Sequence, residues 1–101
     1  MEFITSINKS ESEQDYQNIK NNTMRGLKEH YSTEVKNGRS PLVEFSTICK
    51  WSGAFHDSDQ IFRYLKRLKG ENYIDINHRK EISLTRNGIH YININIRGYT
   101  I

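Results

Sequence analysis

Between Val43 and Gly88 the chain reads VEFSTICKWSGAFHDSDQIFRYLKRLKGENYIDINHRKEISLTRNG. A short β-prone entry leads into two brief helical segments joined by a tight turn. Two β-prone runs flanking His78-Arg79-Lys80 come next, with no long loop anywhere in the series. Mixed elements this short must share one core, so an α+β architecture is expected. The 101 residues with 35% hydrophobic content leave room for a single domain, 1–101.

The positive charge is local. Residues 1–50 carry seven Lys/Arg and seven Asp/Glu, whereas residues 51–101 carry eight against five and hold the whole net charge of +3. Arg63, Lys66, Arg67, Lys69, Arg79 and Lys80 are opposed between positions 63 and 80 only by Glu71 and Asp75. A field set on one helix and one hairpin tip suits an anionic partner better than the same charge on a tail. A solvated helix face and a merely soluble hairpin tip are the plainer explanations of the same charges.

Ser10-Glu11-Ser12-Glu13 has the reciprocal Ser-x-x-Glu form of a helix start. Tyr16, Ile19, Thr23, Leu27 and Tyr31, with Met24 at the edge, then form one apolar stripe. Asn37-Gly38 and Pro41 stop the helix, which is expected over about 11–36. Val43-Glu44-Phe45 is β-prone. Ser46 is placed to cap Thr47 to Ser52, and Gly53 to His56 make the turn of a helix-turn-helix spanning about 46–69. Asp57, with Gln60 in the reciprocal position, caps a helix from Ser58 to Lys69 that Gly70 ends. At 100° per residue this helix puts Ile61, Leu65 and Leu68 on one face, Phe62 and Tyr64 at its borders, and Asp59, Gln60, Arg63, Lys66 and Arg67 on the other.

Tyr73 to Asn77 and Glu81 to Leu84 alternate as strands of a hairpin over 73–84. Thr85 caps a last helical turn. Beyond it, in the C-terminal segment 86–101, Ile89, Ile92 and Ile96 fit a helix, and Ile92, Ile94 and Ile96 fit a strand. Propensity favours the strand, because Ile, Asn and Tyr are poor helix formers.

The run Ile61-x-x-x-Leu65-x-x-Leu68, Gly70, Tyr73-Ile74 and Leu84-Thr85-x-x-Gly88 resembles the winged helix-turn-helix domains of small prokaryotic, archaeal-type transcription regulators. The likeness covers about half the chain, and its positions are mostly core, cap and turn. It implies a three-helix core with a two-stranded basic wing, and sequence-specific binding of double-stranded DNA. The recognition helix from Ser58 would enter the major groove, braced by Thr47 to Trp51, and the wing would lie on backbone or minor groove. The DNA-binding residues implied are Ser58, Gln60, Arg63, Tyr64, Lys66, Arg67, Lys69, His78, Arg79 and Lys80. Asp59 departs from this pattern, since it repels phosphate or demands a cytosine donor. The loop at Asn72 is one residue away from the usual spacing.

No Gly-rich phosphate loop, nucleophile-elbow string or HExxH pair is present, so no catalytic residue, metal or cofactor is expected. Cys49, His56, Asp57 and Asp59 lie close in sequence, but a small buried cysteine and a helix cap explain Cys49 and Asp57 better. A lone cysteine, no secretory signal and no apolar run of roughly 20 residues point to a cytoplasmic protein with no membrane partner, and the DNA-binding role that the resemblance implies would make it nucleoid-associated. The main rival is a winged-helix protein-interaction module. RNA binding ranks third, for want of an aromatic platform. A homodimer through Tyr91 to Ile101 is expected, with Phe3-Ile4-Thr5-Ser6-Ile7 as a candidate pairing strand.

Overall fold

The stripe Tyr16, Ile19, Thr23, Met24 and Leu27 is buried along one long helix, α1 (Glu2–His30), against which the rest of the chain assembles. The computed structural model describes residues 2–52 and 57–101, with side chains from Glu13 onward. The helix starts at Glu2 and runs through Ser10. Amides 11–13 are therefore inside a continuing helix, and the orphan donors that a cap at Ser10 would satisfy do not exist. The same continuity makes residues 3–7 helical, so they are no pairing strand.

At its other end α1 widens into a π-helical turn, Tyr31–Val35. Ser32 Oγ and Thr33 Oγ1 each donate at 2.8 Å to the carbonyls of Lys28 and Glu29. Such back-bonding loosens a helical ladder. Gly38, at φ 76°, then supplies the left-handed stop, its amide 3.0 Å from the Val35 carbonyl.

Strand β1 (Val43–Glu44) passes straight into α2 (Phe45–Ser52). The helix opens at Phe45, whose amide donates to the Lys80 carbonyl at 3.1 Å. Ser46 is thus inside the first turn and caps nothing. Its hydroxyl lies 3.5 Å from Glu44. The expected turn at Gly53 to His56 lies outside the described residues. In α3 (Ser58–Gly70), Asp57 does cap, accepting from the Gln60 amide at 2.8 Å, and Ile61, Leu65 and Leu68 are buried. Gly70 closes the helix, but the left-handed residue is Asn72, at φ 67°.

Strands β2 (Ile74–Ile76) and β3 (Glu81–Leu84) form a hairpin, and the three antiparallel strands lie in the order β1-β3-β2. Val43 and Ile76 both register with Ile82, whose side chain is fully buried. Thr85 caps the next element, accepting from the Gly88 amide at 3.0 Å. That element is a helix, α4 (Arg86–Asn95), and not the strand that propensity favours. As a helix it buries Ile92 and half-buries Ile89, with Ile96 half-buried at its extended C-cap, and this packing outweighs weak local preference. Tyr91 also turns inward, its ring 4.8 Å from that of Tyr73, so it does not point away from the body. The described residues thus form an α+β unit of four α-helices and one small antiparallel sheet.

Two close approaches fix how the helices meet. A side chain at Gly26 would overlap the Trp51 indole of α2, and one at Gly88 would overlap the backbone carbonyl of Tyr73. Lys20 of α1, only 8% exposed, sets its ammonium 4.8 Å from the Tyr73 ring, 4.6 Å from that of Tyr91 and 6.0 Å from that of Tyr16. Burial, with Arg67 nearby, pulls the Lys20 pKa below the usual lysine value, while the ring faces offset part of the lost hydration. No helix among the described residues is long and apolar enough to cross a membrane.

Candidate nucleic-acid interface

Helix α3 divides the candidate residues between two surfaces. Ser58, Arg63 and Lys66 are exposed and Gln60 is half-buried. Tyr64 is half-buried and faces α1, its ring 5.6 Å from that of Tyr16. Arg67 also belongs to that seam. Its two terminal nitrogens donate to the two Glu13 carboxylate oxygens at 3.0 and 3.1 Å, and its guanidinium stacks 3.7 Å from the Tyr16 ring centre. These hydrogen bonds, with one from Gln17, hold the Glu13 pKa below the ordinary carboxylate value. Tyr16 in turn donates its hydroxyl to Glu71. Lys69 folds back toward the hairpin, 3.4 Å from the Ile76 carbonyl and 3.9 Å from Asp75.

The hairpin tip carries His78, Arg79 and Lys80, all exposed. Asn77 organises it, accepting at Oδ1 from the amides of Arg79 and Glu81, each at 2.9 Å. Lys80 adopts φ 59°, a left-handed conformation that suits glycine or asparagine better than lysine.

Phe62 joins the two elements. Its ring lies 5.2 Å from the Lys66 ammonium on α3 and 5.0 Å from the Lys80 ammonium on the tip, and it meets Phe45 edge-on at 5.3 Å. Helix and tip therefore present their cations on one continuous surface. Phe62 and Asn77 are absent from the DNA-binding residues that the resemblance implies. Phe62 sits at the border of the apolar face, where period alone does not say which neighbour it serves, while the Asn before the tip was a readable turn signal. The surface is not purely positive: Glu44 and Glu81 oppose each other across β1 and β3 and flank a cleft with Arg79 and Lys80. Asp59 is exposed near the start of α3.

The surface offers hydrogen-bond donors and positive charge. Among the described residues no three His, Cys, Asp or Glu converge to hold a metal ion. Cys49 is half-buried, and burial raises its thiol pKa, the wrong direction for an activated nucleophile. His56 lies outside the described residues. No protein-family model matches the chain, and neither a curated protein nor a solved structure matches it.

Proposed function

We propose that the protein is a winged helix-turn-helix that binds double-stranded DNA in a sequence-specific manner and regulates transcription. α3 would serve as the recognition helix, α2 as the brace and the β2–β3 hairpin as the wing. The element order and the strand order β1-β3-β2 are compatible with this. The observation that carries it is the seating of Lys66 and Lys80 around one ring, that of Phe62, which brings a cation of the groove helix and a cation of the wing together. Phosphate neutralisation falls to Lys66, Arg79 and Lys80, which, like Arg63, have no carboxylate within 4.0 Å among the described residues. Arg67 and Tyr64 hold α3 to α1. Gln60 and Arg63, toward the helix start, are the residues for base edges.

Fluorescence anisotropy with mixed-sequence duplex DNA at several salt concentrations is the test. Three phosphate contacts give a slope of log affinity against log salt of roughly −2.7. Arg63→Ala is expected to change the preferred sequence, and Lys66→Ala to weaken all sequences alike. Binding indifferent to salt would remove DNA as the partner and leave the interaction-module alternative. We extend the proposal to a two-fold dimer reading two half-sites, with Ile94 of α4, 66% exposed, as the apolar contact.

A further inference from the structure

We propose that the cleft between α1 and the C-terminal tail is a binding site for a small organic oxyanion, either a phosphate ester or a carboxylate. The cleft measures about 540 Å³, the size of a small-molecule site. Arg25, Lys28 and Glu29 of α1 form one wall, and Asn95, Arg97 and Tyr99 form the other. Three cations thus face one carboxylate. None of the three has an ion-pair partner within 4.0 Å among the described residues.

Lys28 is the decisive group. It is only 4% exposed, yet among the described residues its ammonium has a single hydrogen-bond acceptor, the Arg97 carbonyl at 3.3 Å, with the Tyr99 ring centre 4.5 Å away. An ammonium has three donors, and burying it is costly unless opposite charge meets it. An oxyanion in the cleft supplies that charge. Arg25 and Arg97, both exposed, add planar donor forks suited to carboxylate or phosphate. Tyr99, 47% exposed, offers a ring face to the organic body of the ligand. No residue of α3 or of the hairpin lines the cleft, so the site stands apart from the cationic face described above.

The plainer alternative is that Lys28 merely staples the tail to α1, and the experiment separates the two. Backbone amide spectra of the full chain are recorded during titration with sodium phosphate, and in a second arm with sodium citrate, at constant ionic strength made up with sodium chloride. Saturable shifts centred on Arg25, Arg97, Gly98 and Tyr99 are expected with at least one probe. Tighter binding of phosphate assigns a phosphoryl ligand, and tighter binding of citrate a carboxylate. Arg97→Gln is expected to weaken binding roughly tenfold, the loss of one charge-assisted hydrogen bond, and Lys28→Met to abolish it. Should Lys28→Met fail to fold, Arg25→Gln and Arg97→Gln, both at exposed positions, carry the test. Shifts that do not saturate, that chloride reproduces, that centre on α3, or that persist unchanged in Arg97→Gln overturn the proposal.

Discussion

Single residues carry two kinds of strain in this protein, and they predict opposite responses to substitution. Lys80 holds φ 59°, which costs a residue with a side chain roughly 1 kcal/mol that glycine avoids. Lys80→Gly is therefore expected to stabilise the protein by up to about 1 kcal/mol in urea denaturation while weakening binding to every DNA sequence. Loss of stability with DNA affinity intact would mean that Lys80 serves the hairpin and not the partner. At Gly26 and Gly88 the constraint is space. Alanine gains about 0.5–1 kcal/mol of helix propensity over glycine, whereas overpacking costs about 1–3 kcal/mol. At Gly88 the obstacle is the Tyr73 carbonyl, which cannot move without shifting β2, so Gly88→Ala falls at the upper end. At Gly26 it is the half-buried Trp51 ring, a side chain whose displacement leaves the backbone in place. Gly26→Ala should cost less than Gly88→Ala, and denaturation midpoints of the two variants check the order.

At the scale of elements, legibility followed how local the deciding physics was. Asp57 and Thr85 cap as their sequence context suggests, and Ile61, Leu65 and Leu68 are buried as their spacing requires, because caps and periodicity act within one or two turns. The α4 helix was not readable in this way, since Ile92 is buried by α1 and the sheet rather than by any local preference. Burial of Lys20 was equally hidden: its ring partners Tyr73 and Tyr91 come from β2's entry and from α4. On the basic face, composition showed which residues were cationic but not which were occupied. Arg67 reads like Lys66 in sequence, yet it is bound to Glu13 of α1. That pair has a pH signature. The Glu13 pKa is lowered by folding, so its contribution is present above the unfolded value of 4.5 and is lost as pH falls through the lower folded value. Glu13→Gln should melt below the wild type at neutral pH, and the two curves should converge as pH drops below 4.5. A constant offset down to acid pH would show that the ion pair is not what couples α1 to α3 in solution.

For the whole molecule, the proposed DNA binding raises the question of how many copies would meet one site. A single module of this size buries only about 600–1,000 Å² on DNA, which limits discrimination, and pairing two modules over two half-sites multiplies it. The available apolar contact is narrow. Tyr91 is turned inward, Ile92 is in the core, and the tail folds back so that Ile101 and Asn93 exchange hydrogen bonds at 2.9 and 3.1 Å. Ile94 and Tyr99 remain, and Ile94 is the more exposed, at 66% against 47%, so it separates assembly from folding: charge there disturbs a partner without opening the core. Truncation after His90 would not serve, because it removes Ile92 and half of α4. Light scattering of the full chain is expected to give twice its 12.0 kDa, and Ile94→Lys to give the monomer with an unchanged melting temperature at matched low concentration. The variant should also bind a two-half-site duplex no more tightly than a single half-site. A wild-type monomer, both free and on a two-half-site duplex, would instead assign all discrimination to α3 and the wing of one copy.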